Sequence, residues 1–328
     1  MELSFAPMEG VTSCIYRQVH KELFGGADRY YAPFLAPDGQ GKVKVSALRD
    51  VLPENNEGLL LVPQILCSAP GPFLALADEL AAMGFDEVNL NAGCPSGTVV
   101  PKHKGAGMLG DPAALDAFLN EVFSRCPIRV SVKTRLGLER TDEFAAILEV
   151  YKRYPLAELI VHARDRRGLY QSVPDLDAFR LAYEGSRAPL VYNGNILCPA
   201  AYNYIMSTFP DLEAVCIGRG AAANPALFRV LRGGEKLRIE ELRSFFRLLI
   251  ERTLAYGISE HFTLGRMKEM LYYVNHMFPG AKRELKQLQK ASDLKEFDAA
   301  LALLLDSGRF DPDASFPGTL PGLTEENA

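Results

Sequence analysis

No uninterrupted apolar run in this sequence approaches the ~20 residues that a bilayer-spanning helix needs. The start, Met1-Glu2-Leu3-Ser4-Phe5, has neither the basic segment nor the apolar stretch of a secretory signal. The expectation is a cytoplasmic protein with no membrane partner. Its six cysteines, Cys14, Cys67, Cys94, Cys126, Cys198 and Cys216, include no CxxC pair, and no histidine stands at zinc-finger spacing. That scatter argues against structural disulfides and structural zinc, and no metal site is expected. The chain also lacks a basic excess. Its 36 Lys and Arg face 41 Asp and Glu, a net charge of −5, which by itself disfavours a polyphosphate partner. No GxGxxG follows the first apolar run, which disfavours an open dinucleotide-binding sheet.

What is present fits a soluble globular chain, with 48% hydrophobic and 23% charged residues. At 328 residues it is long enough for one large barrel with an appendage, or for two domains, and a monomer is expected. Charge is unevenly spread. Between Arg229 and Lys295 there are 14 basic and 8 acidic residues, a local +6 that leaves −11 for the rest. An acidic body with a basic C-terminal segment is the asymmetry of a nucleic-acid-binding appendage.

Short β-rich runs alternate with helical stretches as far as Pro225. The predicted strands are Leu3–Met8, Arg29–Phe34, Leu59–Leu66, Glu87–Asn91, Arg129–Arg135, Glu158–Arg164, Leu190–Asn193 and Ala214–Gly218. Helical patterns include Pro72–Met83, Pro112–Arg125 and Asp142–Tyr154. Asp111-Pro112 reads as an N-cap with proline at the first helical position, and Gly84 as a helix stop. The segment Asp38–Leu52 is the least regular connection. Eight strand–helix units in a little over ~220 residues fit a closed (β/α)8 TIM barrel. Beyond Gly234, Ile239–Tyr256, Thr263–Met277, Ala281–Ala291 and Leu294–Leu305 have helical spacing. The expected organisation is a catalytic barrel over 1–234, a C-terminal helical domain over 235–306 and an extended or disordered tail over 307–328.

Active sites of such barrels lie at the C-terminal ends of the strands. The residues expected there are Pro7, Met8, Glu9, Gln64, Asn89 to Cys94, Lys133, Arg135, His162 and Arg164. Asn193-Gly194-Asn195 and Gly218-Arg219-Gly220 complete the ring. The last two place small residues beside helix starts after strands seven and eight, where these barrels commonly bind phosphate, and Arg219 adds a charged donor. Lys133 there can stabilise a developing negative charge, form a Schiff base or make an ion pair across the mouth. Cys94, on a loop past a strand and stiffened by Pro95, can be a nucleophile or a proton donor; companion metal ligands are missing. The other five cysteines read as buried and inert.

Several segments together resemble the tRNA-dihydrouridine synthase family. They are Ala6-Pro7-Met8-Glu9-Gly10-Val11-Thr12 and Asn89-Leu90-Asn91-Ala92-Gly93-Cys94-Pro95 with Lys104-Gly105-Ala106-Gly107 and Leu109. Val132-Lys133-Thr134-Arg135-Leu136-Gly137, Val161-His162-Ala163-Arg164, Asn193-Gly194-Asn195-Ile196 and Ile217-Gly218-Arg219-Gly220-Ala221 follow in order. Asn224-Pro225, Met267-Lys268 and Phe278-Pro279-Gly280-Ala281-Lys282 extend the likeness into the helical region.

The resemblance implies an FMN-dependent oxidoreductase that reduces uridine in tRNA. FMN would be held by Pro7, Met8, Glu9, Gln64, Lys133, His162, Asn193, Gly194, Asn195, Gly218 and Arg219. Lys133 would face the flavin pyrimidine edge, and Asn193 to Asn195 with Gly218 and Arg219 would hold phosphate or ribityl. NADPH would reduce the flavin, hydride would go to uracil C6, Cys94 would protonate C5, and Asn91 would help place the uracil. A cysteine thiol, with an ordinary pKa near ~8.5, is protonated at neutral pH yet able to give up its proton. A target uridine must leave its stack to reach a barrel mouth, so helices gripping the RNA are a sensible partner, with Arg266, Lys268, Lys282 and Arg283 the expected contacts. Asn195 departs from the pattern, since an acidic residue is common there. Rival readings are an FMN barrel acting on a free pyrimidine, as dihydroorotate dehydrogenases do, and a non-catalytic RNA-binding barrel.

Overall fold

The computed structural model describes residues 1–169 and 172–322. Its strands are β1 (Glu2–Phe5), β2 (Arg29–Tyr31), β3 (in two pieces, Leu61–Val62 and Gln64–Ile65) and β4 (Glu87–Ala92). They continue with β5 (Arg129–Gly137), β6 (Leu159–Asp165), β7 (Leu190–Asn193) and β8 (Ala214–Ile217). Pro63 has no N–H to give to a ladder, and it divides β3. The first piece pairs with β2 and the second with β4. The two ends of the sheet are therefore halves of one strand, and the all-parallel sheet closes into an eight-strand barrel. This is the (β/α)8 fold that the alternation predicts.

The barrel helices are α1 (Cys14–Leu23), α2 (Val45–Val51), α3 (Pro70–Ala82), α4 (Pro112–Arg125), α5 (Phe144–Tyr151), α6 (Leu176–Gly185), α7 (Pro199–Thr208), α8 (Arg219–Ala223) and α9 (Leu227–Leu231). Asp111 caps α4 as its sequence suggests, accepting from the N–H groups of Ala113 and Ala114. Gly84 ends α3 at φ +95°, a backbone setting that favours glycine. The stretch read as irregular, Asp38–Leu52, contains α2. Only Val51 of that helix is buried, so no apolar stripe announced it. It is held instead by Arg17, fully buried, whose guanidinium donates to the carbonyls of Thr12 and Asp50 and to Asn56, and pairs with the Asp50 carboxylate at 3.0 Å.

The barrel interior is layered. At the N-terminal end Arg29 lies among Glu2, Glu87 and Glu158 at 3.2, 3.5 and 3.1 Å. Burial raises the pKa of Glu158, which also accepts from the Tyr31 hydroxyl at 2.5 Å. A plug of Ala6, Tyr31, Val62, Ile160, Val191, Ala214 and Cys216 fills the middle. Above it, at the C-terminal end, the barrel opens.

Helices α10 (Ile239–Ala255), α11 (Glu260–Val274), α12 (Lys282–Lys290) and α13 (Leu294–Leu305) follow. Leu242, Phe245, Phe246 and Leu249 of α10 are buried at i, i+3, i+4, i+7 spacing. Phe245 meets Tyr16 and Phe24 of the barrel with ring centroids 5.6 and 5.5 Å apart. Burying each such side chain stabilises the fold by roughly 1.5–3 kcal/mol. The buried residues of these helices are continuous with the barrel's core. Residues 306–322, after α13, form no helix or strand and bury Phe316 and Leu320; the rest of the tail expected to be extended or disordered lies outside the described residues. Among the described residues no helix is long and apolar enough to cross a membrane, and no group of three or more potential ligands is placed to hold a metal.

Candidate active site

At the open end of the barrel lies a cavity of about 360 Å³, within the ~300–1,000 Å³ of small-molecule sites. Seven of its lining residues were expected from sequence as ligands of a cofactor: Pro7, Met8, Glu9, Gln64, Lys133, His162 and Arg219. Asn91 and Cys94 line it too. Lys133 and His162 sit midway along β5 and β6, Gln64 and Asn91 near the ends of β3 and β4, and the others on the segments that follow strands, which is why positions so far apart in the chain converge.

Cys94 is half-buried and held through its backbone. The side-chain oxygen of Asn91 accepts from the N–H groups of Gly93 (3.1 Å) and Cys94 (2.9 Å). The Cys94 carbonyl accepts from Ala106 N–H at 3.0 Å. Gly105 turns beneath it at φ +56°, where a Cβ would lie 2.8 Å from that carbonyl, so the approach needs glycine.

Behind Asn91 runs a chain of buried amides. A backbone N–H can only donate, so Asn91 must present its oxygen to Cys94 and its NH2 to the Gln64 oxygen, 2.7 Å away. Gln64 then donates to Asn89 (2.8 Å), and Asn89 to the Ser131 hydroxyl (2.9 Å). The direction of every amide follows from the one before it. Asn91, expected to place the substrate, thus also fixes the loop that carries the thiol.

Lys133 is half-buried, and its ammonium donates to the Asn193 oxygen at 2.9 Å; Asn193 in turn donates to the Cys216 carbonyl at 2.6 Å. Burial pushes its pKa down to about 8, with Arg135 adding repulsion. His162 is pushed well below its ordinary value by burial and by Arg135, Lys133, Arg164 and Arg219. Its Nε2 lies 3.1 Å from an Arg164 nitrogen, which can only donate. His162 is therefore neutral, with the proton on Nδ1.

One corner is strongly cationic. The Asn195 oxygen accepts from Arg164 at 3.0 Å and from Arg219 at 2.6 Å. Gly218 brings its backbone close to Met8, whose Sδ is 3.5 Å from where a Cβ would stand. Gly194 likewise packs against the ring of Tyr192, which leaves no room for a Cβ. Arg135 donates to the carbonyls of Gly93 (2.9 Å), Asp165 (2.8 Å) and Leu169 (3.2 Å), tying the cysteine loop to the β6 loop. The loop after β1, the strand beside β8, brings an acidic residue to the same cavity. Burial raises the pKa of Glu9, and the Asp50 and Glu269 carboxylates add to that. An anionic group is thus drawn to the Arg164–Arg219 corner and disfavoured beside Glu9.

The sequence did not single out Pro33, Phe34, Tyr272 or Tyr273 as lining residues. The two tyrosines belong to α11, remote in sequence, where aromatics at helical spacing read as core. Of the four basic residues expected to face RNA, Lys282 and Arg283 are exposed and Arg266 half-buried. The Lys268 ammonium instead donates to the Ala291 carbonyl at 2.6 Å, at the end of α12.

The chain as a whole is similar to known proteins. The family described as Dihydrouridine synthase (Dus) matches residues 4–305. The tRNA-dihydrouridine synthase B of Pseudomonas aeruginosa is 26% identical over 89% of this chain and 89% of its own length. The tRNA-dihydrouridine(16) synthase of Aquipseudomonas alcaligenes is 25% identical over 92% of this chain and 99% of its own. Among solved structures, the old yellow enzyme of Trypanosoma cruzi superposes with a TM-score of 0.52 over 72% of this chain and 89% of its own, at 11% identity, a likeness of fold. With a family match spanning nearly the whole described chain, and the motif residues gathered around one cavity, this protein belongs to the dihydrouridine synthase family.

Proposed function

We propose that this chain reduces the C5–C6 double bond of uridines in tRNA at the barrel mouth, with FMN as resident cofactor and NADPH as reductant. The observation that carries the reading is the juxtaposition, in one cavity of a dihydrouridine synthase family member, of a half-buried thiol at Cys94 and a cationic floor at Lys133 and Arg219. The donor set fits FMN: a guanidinium corner for a phosphate, a half-buried lysine for an electron-rich ring edge, and a neutral imidazole with amides for polar ring atoms. When bound, FMN supplies the hydride that goes to pyrimidine C6.

The chain's own residues do the rest. Arg219, with Asn195 and the backbone at Gly194 and Gly218, holds the phosphate end. Lys133, kept in place by Asn193, gives positive charge to the flavin's pyrimidine edge. Pro7, Met8, Glu9, Gln64 and His162 wall the ring. Cys94 gives its proton to C5 of the substrate pyrimidine, which with hydride at C6 saturates the bond, and solvent at the open mouth reprotonates the thiolate. Asn91 holds the cysteine loop and faces the uracil. The exposed Tyr272 and the basic residues Arg266, Lys282 and Arg283 lie on the helical region, where RNA would approach. Purified protein given NADPH and tRNA from cells lacking this gene should form dihydrouridine at defined positions, read by mass spectrometry. Reduction of orotate or free uridine, with tRNA untouched, would favour the free-pyrimidine reading.

A further inference from the structure

Residues 311–322 leave α13 and cross from the helical region to the barrel without entering the cavity. We propose that they form a strap that holds the Asn195–Arg164–Arg219 corner in its anion-binding shape, and so sets affinity for the cofactor's phosphate. The inference rests on the FMN reading given above.

The strap is anchored at its start, where Asp311 N–H donates to the Met277 carbonyl at 2.8 Å. Phe316, only 6% exposed, then buries its ring among Leu197 of the loop after β7, Ala223 at the end of α8 after β8, and Tyr273 of α11. That ring stacks on Tyr273 with centroids 5.9 Å apart and meets Tyr272 and His276 edge-on. One side chain therefore packs at once against both phosphate-side segments and the aromatic wall of the cavity.

Three residues on, the Asn195 NH2 donates to the Thr319 carbonyl at 2.7 Å. This bond decides which way the amide faces. A carbonyl can only accept, so Asn195 must turn its NH2 to the strap and its oxygen to the two guanidiniums. Gly318 permits the approach, because a Cβ there would stand 2.6 Å from Leu197 and 3.2 Å from the Asn195 amide nitrogen. An aspartate at 195 would set an acceptor against an acceptor across this gap, so the departure at this position and the strap explain one another. Without the strap the amide is free to turn, and Arg219 and Arg164 lose their common acceptor.

The test uses flavin-stripped full-length protein and compares FMN with riboflavin, which lacks the phosphate, by fluorescence titration. The wild type is set against Phe316→Ala, which removes the packing, and Gly318→Val, which pushes the strap off Asn195. FMN should bind roughly tenfold or more weakly in both variants while riboflavin binding stays within about twofold, the loss being confined to the phosphate contact. Unchanged FMN affinity would overturn the proposal. Parallel loss of both ligands would overturn it as well, marking a general loosening of the fold. A wild type that binds neither flavin refutes the cofactor reading itself, and the strap's role with it.

Discussion

The proton that Cys94 delivers is useful only if its sulfur is held where the pyrimidine arrives, and four hydrogen bonds to the backbone of Gly93 and Cys94 do that holding. Cys94→Ala should therefore retain its flavin spectrum and lose turnover on tRNA by about 10²–10⁴, the usual worth of a positioned acid. Full activity in that variant would remove the thiol from the mechanism.

Lys133 gives a pH signature. Its folded-state pKa, about 8, lies below the ordinary lysine value of ~10.4, so between these limits the unfolded chain binds more protons than the folded one. Its contribution to stability accordingly rises with pH across that window, and the burial penalty is complete below about 8. In the cofactor-free protein, the stability difference between Lys133→Met and wild type should shrink as pH climbs from 7.5 to 10, measured by urea denaturation. A difference that stays flat would mean that the lysine is not desolvated. At this scale much was legible: Cys94, Lys133 and Arg219 stand in short motifs on or just past strands, whereas Tyr272 and Tyr273 reach the cavity only through the docking of a helix.

Elements position these residues, and their logic is harder to read from a sequence. The amide chain from Asn91 through Gln64 and Asn89 to Ser131 crosses β4, β3 and β5, so no local pattern discloses it. Ser131→Ala leaves a buried NH2 without its acceptor, at a cost of ~1–3 kcal/mol. It should also speed alkylation of Cys94 by iodoacetamide, because the loop above is less firmly held. A stability loss with unaltered alkylation would confine the chain to a structural role.

The strands and long helices matched expectation closely because alternation and apolar spacing specify them. Helix α2 went unread because it is short, buries only Val51 fully and is tethered by the buried Arg17 guanidinium. Lys268 is the converse case, a motif lysine spent on the end of α12. Lys268→Ala should lower stability by about 0.5–1.5 kcal/mol and leave the salt dependence of RNA binding unchanged.

For the whole molecule, the acidic body and the basic segment after Arg229 now have an arrangement: α10 is seated on the barrel and α11 carries tyrosines into the mouth. Arg266, Lys282 and Arg283 remain available for phosphates. Replacing all three by Ala should weaken tRNA binding and reduce the salt slope of log K by about two to three, read by titration across 50–200 mM salt. The closed barrel was legible from eight alternating units. The way the C-terminal stretch returns across it was not, since Pro- and Gly-rich sequence carries no periodicity.

The central claim is that one cavity brings a flavin and a tRNA uridine together under Cys94. The direct measurement is a single-turnover reaction in which holoenzyme reduced by NADPH is mixed, without oxygen, with tRNA lacking dihydrouridine, and flavin absorbance is followed. Oxidation of the flavin by tRNA in the wild type, and its loss in Cys94→Ala, is the predicted result. A protein that purifies without flavin, or a reduced flavin indifferent to tRNA, would contradict the account.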